Sequence, residues 1–136
     1  MNSNERRYTR DHHWALRHRS GMRVGVRVGL TDFAQEELGE ITFVQLPDVG
    51  TRIERGVAVC AIDALKAATE LYAPVGGVVT AVNERLREPG AGRLINDDAE
   101  GAGWIFELGI DDNAEFDDLL DGDEYRDLIG LAESSD

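Results

Sequence analysis

Residues Val57 to Val79 read VAVCAIDALKAATELYAPVGGVV, two apolar arms with a lysine, Lys66, between them. The first arm, Val57–Asp63, alternates through Ala58, Cys60 and Ile62, and the second, Glu70–Ala73, stops at Pro74. Alternation with a period of two marks a strand with one buried face, and proline followed by two glycines marks a turn. The stretch therefore predicts a β-hairpin with Lys66 at its tip. Ala64, Ala67 and Ala68 flank that tip and leave the lysine free of bulky neighbours. Gly76 and Gly77 are expected to make the turn after the second arm by taking φ > 0, which glycine does without steric cost.

Outward from the hairpin the same punctuation recurs. Arg23–Leu30, RVGVRVGL, alternates valine with small or charged residues and predicts a strand with one wet face. Thr31-Asp32 offers an N-cap, Gln35 stands three residues after Asp32 as in a capping box, and Gly39 follows Leu38 as a stop, predicting a helix over 32–38. Further strands are expected at Glu40–Leu46, Val78–Asn83 and Trp104–Ile110, separated by Pro47, Gly50, Gly56 and the polar stretch Glu88–Gly92. Many short strands with regular turns predict a mainly β sandwich or barrel. From 113 to about 131 apolar residues fall at helical spacing with acids in the first turns, predicting one or two helices that cover the end of the sheets. Gly39-Glu-Ile-Thr-Phe-Val44 and Gly77-Val-Val-Thr-Ala-Val82 share a pattern that is either a short internal repeat or a chance likeness of two strands. One domain over 1–136 is expected, its core within about 8–110.

The composition narrows the function. A net charge of -13 and a pI near 4.5 oppose the clustered basic surface that nucleic acid requires. No apolar run reaches the length of a bilayer span and the start MNSNERRYTR lacks a signal core, so a cytoplasmic protein without membrane association is expected. One cysteine, Cys60, permits no internal disulfide and lies on the core-facing alternation. Of 14 basic residues a single one is lysine, a usage that a GC-rich genome or a salt-adapted cytoplasm also produces. His12, His13 and His18 stand at no recognisable metal-ligand spacing, and Trp14 and Trp104 read as packing residues. Taken alone, Lys66 is an ordinary surface lysine.

In order along the chain stand Tyr8-Thr9, Asp11-His12, Trp14, Val28-Gly29-Leu30-Thr31-Asp32-Phe33-Ala34-Gln35, Leu38-Gly39, Phe43-Val44-Gln45-Leu46-Pro47 and Gly50. Asp63-Ala64-Leu65-Lys66-Ala67, Tyr72-Ala73-Pro74-Val75-Gly76-Gly77, Val82-Asn83, Leu94-Ile95-Asn96 and Gly103-Trp104 follow. This series resembles the H proteins of the glycine cleavage system over nearly the whole chain. The resemblance implies a barrel-sandwich hybrid with a short helix after the first strands and C-terminal helices. It also implies a non-catalytic carrier with lipoic acid in amide linkage to Lys66, and Asp63, Ala67 and Glu70 as recognition or arm contacts. Implied partners are a lipoate-attaching enzyme, glycine decarboxylase, aminomethyltransferase and dihydrolipoamide dehydrogenase, the carrier itself being a monomer.

Three positions depart from the family pattern. His13 stands where the family has a glutamate that holds the loaded amino group, Asp63 replaces a glutamate, and Ala99-Glu100 replace Pro-Tyr. Together these resemble H-like lipoate-binding proteins that carry sulfur to a heterodisulfide-reductase-like complex, which stays open beside glycine cleavage. An enzyme is disfavoured because no nucleophile triad or phosphate loop accompanies the lysine. A biotin carrier would have methionines where Leu65 and Ala67 stand. An unmodified interaction module is the remaining alternative.

Overall fold

The computed structural model describes residues 5–20, 23–110 and 112–134. Among these residues nine strands form two sheets: β1 Glu5–Tyr8, β2 His13–Ser20, β3 Arg23–Leu30, β4 Ile41–Val44, β5 Arg52–Ile53, β6 Ala58–Ala64, β7 Ala68–Tyr72, β8 Gly77–Val82 and β9 Phe106–Gly109. The larger sheet runs β1-β2-β3-β9-β8-β5 and the smaller β4-β6-β7, and every pairing is antiparallel. The described residues also form four α-helices, α1 Asp32–Leu38, α2 Arg93–Asp98, α3 Asn113–Asp117 and α4 Gly122–Ser134, and one turn of 3-10 helix at Glu84–Arg87.

Alternation decides which face of each sheet is dry. In the larger sheet Val28 pairs with Phe106, and Val26 with Leu108, which in turn meets Val79. All five side chains are buried, while Arg27 between them pairs with Glu107 on the other face. The smaller sheet contributes Ile41, Val44, Cys60, Ile62 and Leu71 to the same core. Each large aliphatic side chain removed from water contributes about 1.5–3 kcal/mol, so the shared core holds the two sheets together.

Sequence expectations hold well where alternation is clean. The strand expected at 23–30 is β3, and the hairpin arms are β6 and β7 with ends shifted by one or two residues. The two echoing segments contain β4 and β8, which lie in different sheets. Helix α1 spans 32–38, but its cap differs from the capping box: the Thr31 hydroxyl accepts from the Ala34 N–H, and the Gln35 side chain donates to Asp32 instead. The C-terminal segment forms α3 and α4; the sequence suggests that Ser134, Ser135 and Asp136 fray, but Ser134 is the last residue of α4, and Ser135 and Asp136 lie outside the described residues. Cys60 is buried in the core as expected, and burial pushes its thiol up to about 12.

The reason given for Gly76 and Gly77 is overturned. Among the described residues the glycines with positive φ are Gly39, Gly50, Gly56 and Gly90. The bend after β7 centres on Pro74 and Val75, and Gly77 already belongs to β8. What Gly77 supplies is room, because a Cβ there would collide with the backbone carbonyl of Gly109 on β9. Gly76 is less confined, its would-be Cβ lying 3.3 Å from a carboxylate oxygen of Glu115. Gly77→Ala is therefore expected to lower stability in urea unfolding by about 1–3 kcal/mol, as overpacking does. Gly76→Ala, whose tight contact is with a movable side chain and whose nearest backbone atom, the Ile53 carbonyl oxygen at 3.4 Å, is at ordinary contact distance, is expected to cost clearly less, and equal losses would refute the close-approach explanation.

Candidate functional site

The β6–β7 hairpin closes tightly. The Ala64 N–H donates to the Ala67 carbonyl at 2.9 Å, which leaves Leu65 and Lys66 between them as the tip. Leu65 is 72 % exposed, and Lys66 and Ala67 are exposed as well. The tip is nevertheless anchored, because the Leu65 N–H donates to the Glu40 carbonyl at 3.0 Å, next to the Ile41–Ala64 pair of the β4–β6 ladder. Beside it the Lys66 stem lies along bare backbone. A Cβ on Gly39 would stand 3.2 Å from Cε and 3.3 Å from Cδ and Cγ of Lys66. Gly39 has φ 78°, caps α1 through its N–H to the Gln35 carbonyl, and so has two reasons to be glycine.

The segment that receives the tip is itself held from behind. Asn96 on α2 accepts from the Ile41 N–H at 2.9 Å and donates to the Gly39 carbonyl and to Gln35 Oε1, both at 2.9 Å. Gln35 is buried and donates in turn to Asp32 at 2.9 Å. Helix α2 can come this close because Gly92, one turn before Asn96, would otherwise press a Cβ into the Ile41 carbonyl.

Of the other residues expected at the site, Asp63 lies at the end of β6 opposite Phe43 and Ala68, exposed, its backbone carbonyl accepting from the Thr42 hydroxyl at 3.1 Å. Glu70 lies on β7 opposite Ala61, also exposed. It borders a surface groove of about 610 Å³ whose wall includes Gln45, Pro47, Val59 and Cys60. Lys66, Ala67 and Asp63 thus share the hairpin end while Glu70 stands further down the same hairpin. Phe43, 56 % exposed, adds an apolar side chain beside Asp63.

The departures from the family pattern also have definite places. His13 is 2 % exposed, its ring 6.4 Å from that of Tyr72 at the base of β7. Burial holds it down near 4, against a smaller opposing pull from Asp11, so the imidazole is neutral at pH 7. Glu100 accepts from the Asp32 N–H at 3.0 Å at the start of α1 and pairs with Arg6 at 3.7 Å. The Ala99 carbonyl accepts from the buried Trp14 indole at 2.8 Å. His12 takes φ 67° and hydrogen-bonds Tyr125 at 2.8 Å, and His18 pairs with Glu107 at 2.6 Å. Among the described residues no group of three potential metal ligands assembles, and no helix is long and apolar enough to cross a membrane.

Two parts of this site were missed from sequence. Gly39 was legible as a helix stop but not as the surface under the lysine stem. Asn96 carries one sequence signal, an amide directly after the apolar pair Leu94-Ile95, which does not say what the amide bonds.

Comparison with known proteins adds the family. The sequence model described as Glycine cleavage H-protein matches residues 6–131. A protein of Haloarcula marismortui named probable glycine cleavage system H protein is 46 % identical over 127 residues, covering 90 % of this chain and 92 % of that one. The glycine cleavage system H protein of Thermotoga maritima is 42 % identical over 124 residues, covering 90 % of this chain and 94 % of its own. The crystal structure of a glycine cleavage system H protein from Mycobacterium marinum superposes with a TM-score of 0.75 at 32 % identity, covering 93 % of this chain and 98 % of that one. The two-sheet architecture with its flanking helices is the barrel-sandwich hybrid, and the chain belongs to the glycine cleavage H-protein family.

Proposed function

We propose that this chain is a non-catalytic carrier of the glycine cleavage system that bears lipoic acid in amide linkage on Lys66. The observation that carries this is the placement of the chain's one lysine, exposed, at the anchored tip of the β6–β7 hairpin. The residues present fit such a group. An attaching enzyme needs an accessible amine on a rigid support, and Ala67, Ala68 and the bare backbone of Gly39 leave the amine unobstructed. The lipoyl group would supply the dithiolane that accepts and releases the carried fragment, while the protein contributes placement. Lys66 holds the arm, Leu65 and Gly39 set where it starts, and Asp63, Ala67 and Glu70 offer outward recognition groups. Glycine decarboxylase, aminomethyltransferase and dihydrolipoamide dehydrogenase are the partners that the family membership supports, in a cytoplasmic setting.

The cargo turns on His13. A neutral, buried imidazole supplies no counter-charge to a loaded ammonium, so in the aminomethyl reading that role falls to Asp11, Asp63 or Glu70, which are all exposed. The sulfur-carrier reading is favoured by the same observation, since its cargo needs no counter-charge. Family membership and the relatives' names favour the aminomethyl reading, which we adopt.

Expression in a lipoylating host should give an intact mass raised by one lipoyl group, and Lys66→Arg should fold and lack the increment. Retention of the increment in that variant would remove Lys66 from its role. The lipoylated protein should support glycine-dependent CO2 release with glycine decarboxylase and aminomethyltransferase. Turnover comparable to that of an ordinary H protein would defeat the sulfur reading, whereas negligible turnover restored by His13→Glu would reject the aminomethyl reading and support the counter-charge argument. His13 also makes a separate prediction about pH. Its folded value near 4 lies below the ordinary 6.5, so the unfolded chain binds the proton more readily between them. Stability contributed by neutral His13 is present above pH 6.5 and lost as pH falls through this window, by on the order of 3 kcal/mol. His13→Gln should flatten unfolding free energy against pH between 4 and 6.5, and an unchanged slope would refute the burial argument.

A further inference from the structure

The Lys66 stem and the Leu65 N–H rest on the same short segment, Gly39–Ile41, and both ends of that segment are fixed by one side chain. Asn96 accepts from the Ile41 N–H and donates to the Gly39 carbonyl, bracketing Glu40, whose own carbonyl receives the Leu65 N–H. A second donated bond, to Gln35, sets the rotation of the amide and ties it to α1. The amide thus makes three hydrogen bonds at 2.9 Å, and reversing its oxygen and nitrogen would break all of them. Gly92 removes the one side chain that would keep α2 from this position.

We propose that Asn96 is a positioning residue for acylation of Lys66: it clamps the Gly39–Ile41 segment into a fixed seat from which the tip and the lysine stem take their direction. The inference rests on the lipoyl-carrier reading but not on its details. Its chemistry is that of preorganisation. A two-residue tip with exposed side chains has little packing to hold it, so its orientation comes from the backbone it is bonded to. Loss of the clamp leaves the amine present but its direction spread, and an enzyme that must bring that amine in line with an activated acyl group is sensitive to displacements of an ångström or so. A small reagent that attacks from any side is not.

The test uses the full-length unmodified protein, its Asn96→Leu variant, which loses all three bonds, and Asn96→Asp, which keeps only the acceptor for the Ile41 N–H. Amide hydrogen exchange is read at Leu65 and at the core positions Ile62 and Leu71. Transfer of lipoate to Lys66 by a lipoate-attaching enzyme is followed by intact mass, beside acylation by an N-hydroxysuccinimide ester. In Asn96→Leu the Leu65 amide should exchange about tenfold faster with Ile62 and Leu71 unchanged, and enzymatic kcat/KM should fall by about tenfold while the ester reacts at its original rate. Asn96→Asp should fall between. Unchanged exchange at Leu65 would overturn the clamp, and equal acceleration at all three amides would reduce Asn96 to a general stabiliser. Loosened Leu65 with undiminished enzymatic transfer would overturn the positioning role. No enzymatic transfer to the wild-type chain would overturn the lipoyl reading and the positioning role together, leaving the clamp to the exchange data alone.

Discussion

A two-stranded hairpin alone is marginal in water, and the hairpin that displays Lys66 gains its stability from a third strand and from burying one face of the resulting sheet completely. Ile62 and Leu71 are fully buried, and Cys60, opposite Leu71, is nearly so, all against a core shared with the larger sheet. Their outward neighbours Asp63 and Glu70 remain exposed on the same two strands. The alternation that anchors the hairpin is therefore the alternation that presents its carboxylates. Rigidity runs along the arms nearly to the tip, and the last residues are held by backbone bonds to Gly39–Ile41 rather than by packing. An exposed amine on a firm base results without any local unfolding.

Electrostatics reinforces the division between inside and outside. The surface carries the excess acid of a chain at -13, and amide formation on Lys66 would move it to -14 by removing one positive charge. Within the core the titratable groups are neutral at pH 7, His13 near 4 and Cys60 about 12. Neither adds charge to the carrier face, and the Cys60 thiol is no redox partner for a dithiolane arm, since thiol chemistry runs through the thiolate.

Legibility in the sequence followed the physics of each element. β3 could be read to the residue because RVGVRVGL alternates without interruption. β2, His13–Ser20, was not predicted, since Trp14 and Ala15 are buried in succession and break the period. β5 has two residues, and α2 starts after Gly92, which offers no side-chain cap, so neither carries a start signal. Lys66 was conspicuous by its rarity, but its role came from resemblance, not from periodicity. Gly39 and Asn96 could not be placed under the tip, because contacts between residues 39, 66 and 96 arise only when two sheets and two helices have closed. The same holds for Gly77, whose need for a missing side chain is set by Gly109 on another strand.

Tyr8 and Leu120 exchange two backbone hydrogen bonds, at 2.8 and 2.9 Å, and the rings of Tyr8 and Tyr125 stack 4.6 Å apart. The first strand is thus completed by the last fifth of the chain, and β3 likewise waits for β9, where Val28 pairs with Phe106. The hairpin needs no such wait, because β4, β6 and β7 lie within residues 41–72. On the ribosome the lysine-bearing hairpin emerges with all of its own sheet, while the larger sheet that buries its inner face stays open until residues near 120 have left the exit tunnel. Display of the lysine on a finished scaffold consequently waits for strands that follow it by about forty residues, and a shorter nascent chain holds the right residues on an incomplete support.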